Sequence, residues 1–147
     1  MTKSERMKPV VRVAESREQA AAREFGASKR ALEEHEQRLA ELLTYREEYH
    51  RHFQQTGSAG VSAGQFMSFQ RFLAQLNKAI EQQRRIVETA AQACECKREA
   101  LGAARGRSMA LDKVVSRYRQ EEERHQERRE QKETDEGAQR RRGVREG

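Results

Sequence analysis

The chain has 147 residues, of which 37% are charged and 35% hydrophobic, with a net charge of +6. A compact domain of this size usually contains about 45–50% apolar residues, so the composition excludes a thick, isotropic core. It also excludes a membrane-spanning helix, because no run approaches the roughly 20 apolar residues that cross a bilayer, and the first 13 residues lack the apolar region of a secretory signal.

The first predicted element is a helix over about residues 5–54, a stretch with a single glycine, Gly26. Its apolar residues recur in two seven-residue tracks offset by three positions, and nine of the thirteen track positions are apolar. The tracks are Val11, Glu18, Phe25, Leu32, Leu39, Arg46, Phe53 and Ala14, Ala21, Ser28, His35, Leu42, Tyr49. Such heptads predict a coiled-coil helix that needs a partner.

The next segment, residues 55–64, contains three glycines and two serines and predicts a loop. A second helix is predicted over about residues 65–136, where thirteen of sixteen track positions are apolar. These tracks are Phe66, Leu73, Ile80, Val87, Cys94, Leu101, Ser108, Val115 and Phe69, Leu76, Gln83, Ala90, Lys97, Ala104, Leu111, Tyr118.

We expect an all-α fold in which the two long helices fold back on each other as an antiparallel coiled-coil hairpin over residues 1–136. The heptads meet when paired residue numbers add to 122, which pairs Phe53 with Phe69 and Val11 with Leu111. A shift of seven residues preserves this kind of pairing, so other registers remain open. The glycine-flanked, arginine-rich residues 137–147 are predicted to be a basic, disordered tail.

One edge of the predicted hairpin is unusually apolar near the loop. Tyr45, Phe72 and Ala79 flank the seam there, beside Leu42 and Tyr49. An exposed apolar strip on a thin hairpin favours a docking surface, although a wide stripe also arises when the intramolecular core is broad.

The sequence shows no pattern typical of an enzyme. The four histidines match no metal-protease motif, no glycine-rich phosphate loop is present, and a hairpin offers no deep pocket. Cys94 and Cys96 are two positions apart and point in different directions on a helix, so they are predicted to be free thiols. We therefore expect no catalytic, cofactor-binding or metal-binding residues, and interleaved charges argue against nucleic acid as a ligand.

The residues around the loop resemble the flagellar export protein FliJ family. The resemblance rests on Leu39-x-x-Leu42-x-x-Tyr45-Arg46-x-Glu48-Tyr49 before the loop and on Phe69-Gln70-x-Phe72-Leu73-x-x-Leu76-x-x-Ala79-Ile80-x-x-Gln83 after it. It implies a non-enzymatic component of the flagellar type III export apparatus, with a hairpin similar to the stalk of rotary ATPases. It also implies a cytoplasmic protein that associates peripherally with the inner face of the cell membrane at the flagellar base.

The resemblance implies three kinds of partner: the hexameric export ATPase FliI, the membrane export-gate protein FlhA, and export chaperones. The end with both chain termini would enter the ATPase ring, and the loop end would contact the gate. The gate-binding positions that it implies are Arg38, Leu42, Tyr45, Tyr49, Phe72, Leu76, Ala79 and Gln83. This set coincides with the apolar edge found from the heptads.

For the ring, the hypothesis is a charged overhang of the second helix, over residues 114–136, whose cations pair with acidic ring residues. The candidates are Arg117, Arg119, Arg124, Arg128 and Arg129. Their alternative role is solubility, because neighbouring glutamates are available as partners four residues away. Three other functions remain open: the stalk of a virulence-type secretion system, a basic coiled coil that binds nucleic acid, and a homodimeric scaffold.

Overall fold

The computed structural model describes residues 1–146 and contains two helices, α1 (Lys3–Gly57) and α2 (Ala63–Glu146). The helices pack against each other in an all-α hairpin, so the predicted fold class is confirmed. Within residues 1–146 no β-strand is present. The predicted helix bounds differ from the observed ones by two or three residues, except at the end of α2.

Both helices begin with reciprocal caps that the local sequence supplies. At α1, the Thr2 hydroxyl accepts a hydrogen bond from the Glu5 amide at 3.3 Å, and the Glu5 carboxylate accepts one from the Thr2 amide at 3.1 Å. At α2, Ser62 and Gln65 repeat the arrangement at 3.1 and 3.0 Å. These capping boxes satisfy amides that a helix leaves without partners in its first turn.

The turn between the helices is shorter than the predicted loop and comprises residues 58–62. Gly60 has a φ of 94°, in a region that side-chain-bearing residues rarely adopt. Glycine at this position lets the chain reverse direction directly after α1.

The chain divides into two compact units. The loop unit is Ala21–Leu101, and the terminal unit is Met1–Ala20 with Gly102–Gly147, of which Gly147 lies outside the described residues. In each unit a stretch of α1 packs against a stretch of α2. The two units are described separately below.

The buried residues follow the predicted heptad tracks of α2. Among the residues whose burial the structure describes, the six buried ones all occupy track positions: Phe69, Leu76, Ile80 and Gln83, together with Leu101 and Val115. Helix α1 contributes half-buried side chains and no buried ones. This asymmetry fits a thin seam, in which neither helix can enclose a wide stripe.

The pairing of the helices in the loop unit agrees with the predicted register. The rings of Phe53 and Phe69 stack with centroids 3.8 Å apart, which confirms that layer. The Lys97 ammonium pairs with the Glu24 carboxylate at 3.2 Å, and these residue numbers add to 121, close to 122.

The end of α2 differs from the expectation of a disordered tail. The helix continues through residues 137–146, while Gly147 lies outside the described residues. Residues 130–133 are good helix formers, and the Gln131 side-chain amide donates a hydrogen bond to the Asp135 carboxylate at 3.2 Å, an i,i+4 contact that stabilises helices. Neither Gly137 nor Gly143 ends the helix, because a single glycine costs only about 1 kcal/mol relative to alanine.

Candidate docking surface

An aromatic cluster lies beside the turn of the loop unit. We define it as Tyr45, Tyr49, Phe53, Phe66, Phe69 and Phe72, which is every phenylalanine and tyrosine of the chain except Phe25 and Tyr118. Phe69 is its centre: its ring stacks on Phe53 and, at 5.1 Å between centroids, on Tyr49. The imidazole of His50 meets the Phe69 ring edge-on at 5.7 Å.

The cluster extends from the seam to the surface. The Phe72 ring lies 4.5 Å from Tyr49 and 6.1 Å from Tyr45, which it meets edge-on. Tyr45 retains 49% of its accessible surface. Its ring is therefore held by an aromatic neighbour while one side faces solvent, as in anchor residues of protein interfaces.

Most of the proposed gate-binding positions reach the surface of the loop unit. Leu42, Tyr49, Phe72 and Ala79 are half-buried, and Arg38 and Tyr45 are exposed. The structure thus brings Tyr45, Tyr49 and Phe72 together, as the sequence analysis predicted.

Two positions in the same set lie in the seam. Leu76 is 7% exposed, and Gln83 is 9% exposed. The Gln83 amide Nε2 donates a hydrogen bond to the His35 carbonyl of α1 at 3.0 Å, so this side chain is satisfied within the hairpin. In this conformation both residues pack between the helices beneath the candidate docking surface.

Sequence reasoning missed two exposed apolar residues at the start of α2. Phe66 is 46% exposed and Met67 is 61% exposed. Phe66 occupies a heptad track, which predicts burial, but it lies in the first turn of α2 where α1 is ending. The predicted register pairs Phe66 with Thr56, one residue before the end of α1. This position in the register could have indicated that little of α1 remains to cover Phe66.

The terminal unit is closed by a hydrogen-bonded contact between its two helices. The Glu122 carboxylate of α2 accepts hydrogen bonds from the Ser4 amide at 3.0 Å and the Ser4 hydroxyl at 2.7 Å. Glu122 thereby caps the first turn of α1 from the opposite helix, next to the positive end of the helix dipole. The hydrogen bond from the Ser4 hydroxyl, followed by that from its amide, lowers the pKa of Glu122.

This contact predicts a pH-dependent stability. Because the pKa of Glu122 is lower in the folded state, its contribution is present above the ordinary glutamate value of about 4.3 and is lost as pH falls through the lowered value. We expect Glu122→Gln to lower the melting temperature at pH 7, and we expect the difference from the unmodified chain to shrink as pH falls below the ordinary glutamate pKa. Thermal unfolding followed by circular dichroism across this range measures the difference; an equal gap at every pH would contradict the assignment.

The five arginines proposed to meet the ATPase ring are exposed on α2 of the terminal unit. Arg124, Arg128 and Arg129 follow Glu122 and so lie past the first turn of α1. Among the described residues, none of the five forms an ion pair, so the expected local partners do not hold them. Of the five, Arg119 interacts electrostatically with Glu122, and its positive charge helps to lower the pKa of that carboxyl group.

In residues 1–146, the cysteines are not paired in a disulfide and the acidic and histidine side chains are not clustered for metal binding. Cys94 is half-buried, Cys96 is exposed, and both are free. Residues 1–146 contain no group of three or more His, Cys, Asp or Glu that could hold a metal ion. Over the same residues, neither helix has a stretch long and apolar enough to cross a membrane.

Two long helices that pack along a thin heptad seam define the class of coiled-coil hairpin proteins. Comparison with known proteins gives the family: the model of the flagellar FliJ protein family matches residues 2–147, and the chain belongs to that family.

The chain is also similar to the flagellar FliJ protein of Escherichia coli strain K12. The two are 33% identical over 72 residues, a stretch that covers 49% of each chain. The match therefore spans about half the length of this curated relative. No solved structure matches the chain.

Proposed function

We propose that this chain is a component of the flagellar type III protein export apparatus, where it links the export ATPase to the export gate. Membership of the FliJ family supports the assignment to flagellar export. The observation that carries the linking role is the aromatic cluster, whose outer residue Tyr45 is half-exposed in a hairpin with 37% charged residues.

The gate-binding end is the loop unit. The Tyr45 and Phe72 rings meet edge-on, Phe72 contacts Tyr49, and Tyr49 stacks on Phe69 in the seam. Rigid aromatic anchors of this kind lose little conformational entropy on binding and contribute strongly to protein interfaces. The partner is the cytoplasmic part of the gate protein FlhA.

The ATPase-binding end is the terminal unit. Among the described residues, the exposed arginines after Glu122 form no ion pair, and glutamates alternate with them along α2. Acidic groups in the ring of the ATPase FliI are their proposed partners, and such charge pairs mainly raise association rates. In this role the chain is non-enzymatic and cytoplasmic, associates peripherally with the membrane at the flagellar base, and also contacts export chaperones.

The gate contact is tested by substituting the two outer aromatic residues. We expect Tyr45→Ala combined with Phe72→Ala to weaken binding to the purified cytoplasmic domain of FlhA at least about tenfold, because truncated anchors cost about 2 kcal/mol or more. Isothermal titration calorimetry measures the affinity, and circular dichroism checks that the variant remains helical.

Tyr118→Ala is the matched control. Tyr118 is a half-buried aromatic residue of the terminal unit, with the Lys3 ammonium 5.5 Å from its ring centre. It is expected to leave gate binding unchanged. If the double variant binds as tightly as the unmodified chain, the cluster serves only to stabilise the hairpin and the gate-binding proposal fails.

A further inference from the structure

An apolar groove runs along one edge of the terminal unit, between α1 and α2. Its volume is about 380 Å³, and Val10, Val13 and Leu111 are among the residues that line it. Val10 is 46% exposed and Val13 is 50% exposed. Two half-exposed valines one turn apart offer an apolar surface that the hairpin itself does not cover.

Arginines from both helices border this groove. Arg17 belongs to α1 and Arg107 to α2, and both are exposed and line the groove. Among the described residues neither guanidinium has a carboxylate or another side chain as a hydrogen-bonding partner. Their positive charge is therefore available to a ligand.

The part of this edge that lies beside the groove is free of negative charge, in a chain with 24 acidic residues. The heptad positions that form it are residues 10, 13, 17 and 20 of α1 and residues 103, 107, 110 and 114 of α2. Six of these eight are valine or alanine, and the other two are Arg17 and Arg107.

The groove on the opposite edge of the same unit differs in charge. It has a similar volume, about 460 Å³, but Lys8, Arg12 and Arg119 share it with Glu15 and Asp112. Cations there have acidic neighbours within one groove. Of these two grooves, only the apolar one has basic residues without an acidic neighbour in its lining.

We propose that the groove of Val10, Val13, Leu111, Arg17 and Arg107 is a docking site for an acidic amphipathic helix of a partner protein. Val10 to Arg17 spans seven residues, or about 10 Å of helix axis, which matches two turns of a bound helix. Apolar side chains of that helix contact the valines and Leu111, and carboxylates on its flanks pair with the two arginines.

The charges also argue against the other occupants. A second copy that bound through the same surface would bring Arg17 and Arg107 close to their own equivalents, which is repulsive. A bilayer surface would meet the two arginines and the exposed valines but would not follow the half-buried floor between the helices, which Ala14, Ala104 and Leu111 form. An acidic helix satisfies both the apolar floor and the basic border.

The inference goes beyond the proposed function, and its test uses neither the gate nor the ATPase. The probe is a synthetic, fluorescently labelled helical peptide with leucines at three- and four-residue spacing and glutamates on both flanks. A second peptide has lysine in place of every glutamate. Fluorescence anisotropy with the full chain measures binding at about 0.1 M salt, where exposed charge pairs remain partly effective.

We expect the glutamate peptide to bind and the lysine peptide not to bind. Arg17→Glu combined with Arg107→Glu should lower the affinity for the glutamate peptide at least about tenfold, because two attractive charge pairs become repulsive. The same double variant should bind the lysine peptide. Val13→Asp should also weaken the glutamate peptide. Arg17→Lys combined with Arg107→Lys retains the charge and should retain binding, and Arg12→Glu on the opposite edge is the matched control.

Four results would overturn the proposal. The first is that the glutamate peptide does not bind. The second is that Arg12→Glu weakens binding as much as the double reversal does. The third is that the charge-reversed double variant no longer binds phosphatidylglycerol vesicles but still binds the glutamate peptide, which would indicate a membrane site. The fourth is a concentration-dependent dimer that Val13→Asp abolishes, which would make a second copy the occupant.

Discussion

Replacing Ile80 with alanine is expected to lower the free energy of unfolding by about 2–5 kcal/mol. Ile80 retains 1% of its accessible surface, and it is the largest side chain in the described residues to be fully buried. Truncation removes apolar contacts and leaves a cavity that two long helices cannot close without shifting along their seam. The effect is large because a two-helix seam contains few buried residues to share the loss.

Ile86→Ala is a matched control for this prediction. It removes the same atoms from the same helix six residues away, but Ile86 is 43% exposed. We expect its effect to remain within about 0.5–1 kcal/mol, as for surface substitutions. Urea unfolding followed by circular dichroism at 222 nm measures both variants. Equal effects would mean that the seam does not enclose Ile80 in solution.

Replacing Phe69 with alanine is expected to cost about 3–5 kcal/mol, the range for a buried phenylalanine. Phe69 is 9% exposed and contacts Phe53, Tyr49 and the His50 imidazole. Its loss removes burial and, in addition, aromatic pair interactions worth about 0.5–1.5 kcal/mol each. The substitution also removes the ring on which Tyr49 stacks.

Phe66→Ala tests whether burial, rather than residue type, causes this effect. Phe66 belongs to the same cluster but is 46% exposed, with its ring centre 6.2 Å from that of Phe53. We expect a loss of less than about 1 kcal/mol. The chain has no tryptophan, so tyrosine fluorescence reports on the cluster. It should change in Phe69→Ala and not in Phe66→Ala, and the reverse result would place Phe66 at the centre.

The Phe69 and gate-binding experiments separate two roles within one cluster. Phe69 contributes to stability, whereas Tyr45 is half-exposed and is proposed to bind a partner. Tyr45→Ala is therefore expected to change stability little, while Phe69→Ala affects the support of Tyr49 and Phe72 as well. A comparison of stability and gate affinity across these variants distinguishes the two contributions.

Heptad periodicity predicted the main features of the fold because coiled-coil packing depends on local spacing. The tracks identified Ile80 and Phe69 as seam residues, and both are buried. The register was harder to predict, since a shift of seven residues also pairs the tracks. The stacking of Phe53 on Phe69 selects one register from that set.

Within the candidate docking surface, the heptad tracks and the family resemblance gave different expectations for two residues. The tracks place Leu76 and Gln83 in the seam, where both are buried and Gln83 bonds to α1, whereas the resemblance includes them in the gate-binding set. Tyr45 is on the same predicted edge and remains half-exposed. Exposure depends on where the opposite helix passes, which a single helix does not reveal.

By itself, the sequence determined the two long helices, the apolar seam and the reversal at the glycine-containing turn, because these follow from spacing, capping residues and the freedom of Gly60 within a few residues of chain; it did not determine that α2 continues to Glu146. The tertiary structure decided three other features. It determined how far each aromatic ring is exposed, that Glu122 caps Ser4 across 118 positions, and that Arg17 and Arg107 border one apolar groove. Each depends on contacts between residues far apart in the chain, and only the packing of α1 on α2 brings those residues together.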